Sequence, residues 1–223
     1  MNWKHFWDRQ ALASKGAKQV GRIMVGKELE PKLMLNIAQQ ISTQLQLKET
    51  DRLLDVCCGN AYLSHMLLPY CQSIVGVDFS EKLIAEAQNL GSNRMDFFVG
   101  DARNFCLNQR FDKTLLYFSF QYFEDYKTGK EVIQTLWEHT QLGGQILIGD
   151  ICDKRKFFSY YNSPKKLWNW FKQKLNKRND MGKFWHPNEL LQICEELGIK
   201  GKVQAQQTWQ PYAHYRFDFL IEK

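Results

Sequence analysis

The chain is predicted to be α/β, with a doubly wound, mostly parallel sheet. Two observations predict it. Near-continuous apolar stretches at 52–57, 73–78, 95–99, 113–118 and 145–149 alternate with amphipathic helical patterns. Strands that read as unbroken apolar runs are covered on both faces, as crossover helices require. The chain also ends in two short strands, 202–207 and 214–221, joined by Trp209-Gln210-Pro211-Tyr212. These form an antiparallel pair at the sheet edge.

Taken in order, residues 1–30 are rich in Trp, Lys and Gly. Trp3, Phe6 and Trp7 make one face of a short helix, while Gln19-Val20-Gly21-Arg22 and Val25-Gly26-Lys27 read as loop. Such a segment packs on the domain or closes over a site. From Pro31 a helix follows, because Leu33, Met34, Ile37, Ala38, Ile41 and Leu45 recur at helical spacing. The first strand, Leu53-Leu54-Asp55-Val56, runs into the small-residue turn Cys57-Cys58-Gly59-Asn60-Ala61 and a helix over 61–70. The second strand, 73–78, precedes a helix over 81–89, with Ser80 as its cap and Gly91 at its end. A third strand (95–99), a fourth (113–118), a helix over 130–140 and a fifth strand (145–149), after a turn at Gly143-Gly144, complete the alternation. Residues 186–198 form a capped amphipathic helix.

At 223 residues the chain fits one domain and buries a core. We divide it into an N-terminal lid segment (1–30), a cofactor-binding core (31–151), a basic aromatic cap (152–185) and a C-terminal helix and hairpin (186–223). No apolar run reaches transmembrane length, and the N-terminus lacks the apolar core of a secretion signal, so a cytoplasmic protein is expected. The six cysteines show no C-x-x-C pairing and no metal-ligand spacing; they read as reduced thiols, and no metal is expected. The net charge of +6 is uneven: from Lys154 to Lys183 there are ten basic residues against the single acid Asp180.

In a doubly wound sheet, ligands sit at the carboxyl ends of the strands. There the chain offers Asp55 with the 57–61 turn, then Asp78, nineteen residues after Gly59. Next come Gly100-Asp101-Ala102, and finally Tyr117-Phe118-Ser119-Phe120-Gln121-Tyr122. A carboxylate such as Asp78 accepts from both hydroxyls of a ribose, and Asp101 suits an exocyclic amine. The turn lacks the glycine pattern that admits a pyrophosphate, and no P-loop lysine follows it.

In their order and spacing, Asp55-Val56-Cys57-Cys58-Gly59-Asn60-Ala61, Val77-Asp78-Phe79-Ser80, Gly100-Asp101-Ala102 and Leu142-Gly143-Gly144 resemble the motifs of class I S-adenosylmethionine-dependent methyltransferases. The resemblance covers about residues 31–151. It implies a Rossmann-like, seven-stranded sheet with a C-terminal antiparallel hairpin, and S-adenosylmethionine as cofactor. By it the Asp55–Ala61 turn (Asp55, Cys57, Gly59, Asn60, Ala61) contacts the methionine part. Asp78 holds the ribose, and Asp101 with Ala102 holds the adenine. Phe79, Gly100 and Phe118 complete the cofactor set. Cys57 and Ala61 stand where the family usually has glycine. Trp7-Asp8, Gln19-Val20-Gly21-Arg22, Phe184-Trp185-His186-Pro187 and 211–218 resemble, more weakly, small-molecule methyltransferases with a variable cap, some acting on sugars or natural products.

Methyl transfer from a sulfonium needs no acid for its leaving group, but an alcohol acceptor must lose a proton. His186 and His214 are the candidate bases, weighed against roles as a helix-start residue and a satisfied polar group. His65 and His139, within helices, read as structural. Gln121, Tyr122 and Tyr212 are the candidate acceptor contacts, and Arg22 is a candidate for the cofactor carboxylate. The basic segment reads three ways: a packed cap helix with solvated lysines, a helix lying on an anionic membrane, or a nucleic-acid contact.

The expected function is methyl transfer to a small-molecule acceptor, with a sugar or natural-product hydroxyl ahead of nitrogen. One rival is an RNA-modifying methyltransferase using 154–183. Another is a non-catalytic module that binds a nucleoside or a partner.

Overall fold

A computed structural model describes residues 2–24, 27–176 and 178–223. The loop expected at Val25-Gly26, and Lys177 of the basic segment, lie outside them.

The N-terminus folds first into helix α1 (Trp3–Ala13), which starts where Asn2 accepts the N–H of His5 at 3.0 Å. A one-turn helix, α2 (Gly16–Gln19), and a two-residue hairpin, β1 (Ile23–Met24) with β2 (Lys27–Glu28), follow. Helix α3 (Pro31–Leu45) begins on its proline and buries Met34, Ile37, Ala38, Ile41 and Leu45, the predicted stripe. Then come β3 (Arg52–Val56), α4 (Tyr62–Leu67), β4 (Ser73–Asp78), α5 (Glu81–Asn89), β5 (Met95–Val99), β6 (Phe111–Tyr117), α6 (Tyr126–His139) and β7 (Thr140–Cys152). After β7 lie α7 (Phe157–Tyr160), α8 (Pro164–Leu175), α9 (Pro187–Leu197), β8 (Lys200–Ala205) and β9 (Arg216–Glu222).

Seven strands form one sheet in the order β5-β4-β3-β6-β7-β9-β8. The five from β3 to β7 are parallel, whereas β9 runs antiparallel to both β7 and β8. The chain winds outward from β3 to β5, then returns to place β6 on the other side of β3. That reversal opens a crevice at the carboxyl ends of β3, β4 and β6. Alternate residues of each strand feed two cores. Leu53 and Leu147 pack with α3 and α4, while Leu54, Ile146 and Ile148 pack with α6 and α9.

Several boundaries differ from the sequence reading, among them β7, which runs over Thr140–Cys152 rather than 145–149, and β8, which is Lys200–Ala205 rather than 202–207. Helix α6 starts at Tyr126 rather than 130, because Asp125 caps it by accepting the N–H of Thr128 at 2.8 Å. Gly143-Gly144 is no turn between helix and strand. It sits in an irregularity of the long β7, where pairing shifts from Phe111 with Thr140 to Lys113 with Gln145. Helix α5 ends at Leu90 without a left-handed glycine; Gly91 only donates to the carbonyl of Gln88.

The segment after β7 builds a small aromatic core of its own. Tyr161, Phe184 and Tyr215 are buried there with Phe157, Tyr160, Leu167 and Trp170 around them. It is tied to the sheet by fully buried Trp185, whose indole donates to the carbonyl of Phe120 at 3.1 Å.

Candidate active site

The turn after β3 is held open by backbone geometry. Cys57, Gly59 and Ala61 all have positive φ (62°, 59° and 61°). The N–H groups of Cys57 and Cys58 both reach the carbonyl of Val77 on β4, at 2.7 and 3.2 Å. Gly59 turns its own N–H to Oδ2 of Asp78 at 3.0 Å. Oδ1 of Asp78 accepts from Ser80 at 2.9 Å. The backbone of Phe79 also hydrogen-bonds to this carboxylate, which offers about four acceptor positions when ionised. No side chain fits at Gly59, where a Cβ would lie 2.7 Å from Cγ1 of Val20.

Val20 belongs to the N-terminal segment, which is fastened over this turn. Asn60 donates to the carbonyl of Gly16 at 3.0 Å and to the side chain of Gln19 at 2.6 Å. Ser80 donates to Asp8 at 2.5 Å. Trp3 and Trp7 pack on Tyr122, with ring centres 4.3 and 5.7 Å away.

Between these walls lies a cavity of about 620 Å³. The turn gives it Cys57 and Gly59; β4 gives Asp78 and Phe79; the end of β5 gives Gly100, Asp101 and Ala102. The N-terminal segment gives Trp3, Trp7, Val20 and Arg22, and the loop after β6 gives Ser119, Tyr122 and Phe123. A smaller crevice of about 30 Å³ shares Val20, Arg22, Cys57 and Gly59, and adds Asp55 and Phe118.

Burial sets the charges. Asp55 is pushed up to about 7 and Asp78 to about 6, in each case chiefly by desolvation. Ser64 donates to Asp55 at 2.6 Å and opposes that rise. Desolvation lowers Arg22 to about 10, which leaves it charged at neutral pH. Its guanidinium lies 3.7 Å from the centre of the Phe118 ring. No carboxylate ion-pairs with it among the described residues. Asp101 is held low by Arg103, which donates to both its oxygens.

Of the residues expected to meet the cofactor, Arg22, Cys57, Gly59, Asp78, Phe79, Gly100, Asp101 and Ala102 line the main cavity. Asp55 and Phe118 line only the crevice. Asn60 and Ala61 serve the turn: Asn60 ties down the N-terminal segment and Ala61 heads α4. Among the expected acceptor contacts, Tyr122 is in the wall. Gln121 is buried and donates to the carbonyl of Phe118 at 2.6 Å. Tyr212 donates to the carbonyl of Ile23 at 2.9 Å, pinning the hairpin loop to the N-terminal segment.

The histidines lie elsewhere. None of the five is among the described residues that line the cavity. His186 caps α9, its ring accepting the N–H of Asn188 at 3.2 Å. His214 is exposed, beside Tyr215. Trp3, Trp7 and Arg103 were missed as site residues. An apolar helical face reads the same whether it meets a core or a cavity, and Arg103 follows its motif by a single residue.

A doubly wound domain with this clasp of turn and acidic strand end, and no pyrophosphate pattern, has the strand-end crevice in which such folds hold their ligands. Residues 53–144 match the family model described as a methyltransferase domain. That segment, from β3 into β7, is similar to methyltransferase domains. It is 28% identical, over 179 residues, to a malonyl-[acyl-carrier protein] O-methyltransferase of Acetivibrio thermocellus, covering 76% of this chain and 61% of that one. An uncharacterised RNA methyltransferase of Chlamydia trachomatis is 29% identical over 103 residues, 44% of this chain and 26% of that one. The chain thus spans about three fifths of the first relative and a quarter of the second. In fold it is similar to the N-methyltransferase NodS of Bradyrhizobium japonicum, solved with S-adenosylhomocysteine. That match has a TM-score of 0.66 and 13% identity, covering 100% of this chain and 99% of that one. Among the described residues no helix is long and apolar enough to cross a membrane.

Proposed function

We propose that the protein transfers a methyl group from S-adenosylmethionine to an oxygen of a small molecule. One observation carries this reading. The Gly59–Asp78 clasp and the Trp3, Trp7 and Tyr122 cover face the same cavity. An acceptor must therefore share about 620 Å³ with the cofactor under an aromatic roof. That space suits a small molecule.

The residues fit the cofactor. Asp78 keeps acceptor capacity for a ribose hydroxyl, and Gly100 and Ala102 leave room for a flat base beside β5. Asp101 is already engaged by Arg103, so an adenine amine shares it. Arg22 offers the methionine carboxylate a half-buried cation. When bound, the cofactor supplies an electrophilic methyl on a sulfonium. The protein's work is to hold the acceptor in line and exclude water. Neither His186 nor His214 has a proton-transfer role in this reading. The acceptor oxygen it favours is one already anionic or easily ionised, such as a carboxylate or an acidic phenol. The O-methyltransferase named above supports oxygen; the RNA methyltransferase name keeps RNA as the rival.

The test is transfer of a labelled methyl group to a panel of small carboxylates, phenols and sugars, with small amines and RNA as contrasts. Label on a small oxygen acceptor is expected. Label on RNA alone would replace this reading with the rival. Cofactor binding with no transfer to any acceptor would favour a non-catalytic module.

A further inference from the structure

Helix α8 buries one side and leaves a second apolar stripe without a partner. Leu167 and Trp170 turn into the small aromatic core with Tyr161 and Phe184. On the other side Trp168, Phe171 and Leu175 are 58%, 46% and 69% exposed. Positions 168, 171 and 175 recur at the three- and four-residue spacing that puts them on one helical face. Scattered apolar residues are normal on a surface, but a row of large ones on one helix calls for a partner.

Charge identifies that partner. Among the described basic residues from 154 to 183, Arg155, Arg178 and Lys183 meet carboxylates. Lys154, Lys156, Lys165, Lys166, Lys172 and Lys174 are ion-paired with none. Lys165 and Lys172 flank Trp168 at helical spacing, and Nζ of Lys172 lies 5.4 Å from its ring centre. The surface is thus apolar along its crest and cationic along its margins. Lysines beside an apolar stripe bury their stems and keep their heads in the wet layer.

We propose that this face of α8 lies on an anionic phospholipid surface, with Trp168, Phe171 and Leu175 inserted among the acyl chains. Lys165 and Lys172 then meet the headgroups. Two features favour a bilayer over nucleic acid. Leu175 has no π face on which a base would stack, whereas it adds buried area in lipid. Trp168 and Phe171 also stack on each other, with ring centres 6.0 Å apart, rather than standing apart as platforms for successive bases. The placement of α8 connects it to the cavity. Its small core contains Tyr212, which donates to the carbonyl of Ile23 just after Arg22, so α8 is linked to the N-terminal cover through that core. This inference stands apart from the identity of the acceptor.

The test is co-sedimentation of the full chain with two vesicle types, phosphatidylcholine alone and phosphatidylcholine mixed with phosphatidylglycerol. Binding is expected only to the anionic vesicles and should weaken as salt rises. The triple variant W168S/F171S/L175S keeps every charge, and the variant K165Q/K172Q/K174Q keeps the apolar stripe. Each is expected to weaken partitioning by roughly tenfold or more, with S-adenosylmethionine binding retained as the check on folding. No binding to anionic vesicles at low salt would overturn the proposal. So would lipid binding that ignores the apolar triple variant, or RNA binding that both variants abolish while vesicles are ignored.

Discussion

The backbone N–H of Gly59 donates to Oδ2 of Asp78 at 3.0 Å, joining the turn after β3 to the end of β4. One carboxylate thereby shapes the turn and faces the cavity. Asp78→Ala removes the acceptor for both Gly59 and Ser80, together with the ribose partner. Lost hydrogen bonds to a charged group predict S-adenosylmethionine binding weaker by roughly 10- to 100-fold in a calorimetric titration. A folded variant with wild-type affinity would remove Asp78 from the cofactor site.

Arg22 is predicted to act on the amino-acid end of the cofactor. Arg22→Met keeps bulk beside Phe118 and deletes the charge. It should weaken S-adenosylhomocysteine by roughly tenfold or more and leave methylthioadenosine, which lacks the carboxylate, within about twofold. Equal losses for both ligands would mean that Arg22 only supports the fold.

Two neighbouring turn positions should respond with opposite sign. Cys57 holds a φ of 62° with a side chain, a conformation that costs roughly 1–2 kcal/mol in an L-residue. Cys57→Gly relieves that strain but loosens the unfolded chain, so a net gain of up to about 1 kcal/mol is expected. Gly59→Ala places a methyl against Val20 and is expected to lower the melting temperature and the affinity together. Thermal melts of the two variants check this; a stabilised Gly59→Ala would show that Val20 does not pack there.

The buried acids set a pH dependence. Asp55 and Asp78 titrate near 7 and 6, above their ordinary 3.8, because burial disfavours the charge. The folded protein thus holds protons that the unfolded chain has released. Their stabilising contribution is complete below the unfolded value and is lost as pH rises through 6 to 7. Asp55→Asn should therefore raise the melting temperature of the free protein more at about pH 8 than at about pH 5. Cofactor affinity should move the other way, rising with pH as Asp78 ionises and accepts from the ribose. A gain from Asp55→Asn that does not vary with pH would contradict this.

His186 is predicted to be a cap. Its ring accepts from Asn188, while Glu189 accepts the N–H of His186 at 2.7 Å. His186→Ala should cost about 0.5–2 kcal/mol of stability and change turnover by less than about twofold. A large fall in turnover with unchanged melting would restore it as a base.

The strand-end wall of this cavity was legible because it is local. Asp55, Gly59, Asp78 and Asp101 lie at or just past the ends of β3, β4 and β5, and apolar strand runs announce themselves. The opposite wall was not, because it joins pieces far apart in the chain. Trp3 and Trp7 meet Tyr122 more than a hundred residues away, and no spacing rule reports that contact. His186 looked chemical because an imidazole before a proline reads alike as cap or base until its partner, Asn188, is seen. Asp125, the cap of α6, carried a readable signal, yet the weakly apolar first turn of that helix hid it.

The most direct test is calorimetric titration of the free protein with S-adenosylmethionine, S-adenosylhomocysteine and NADH. The account predicts that the first two bind and that NADH does not, because the turn lacks the pyrophosphate pattern. NADH binding, or no binding of either methionine-derived ligand, would contradict the assignment of the Gly59–Asp78 clasp to this cofactor.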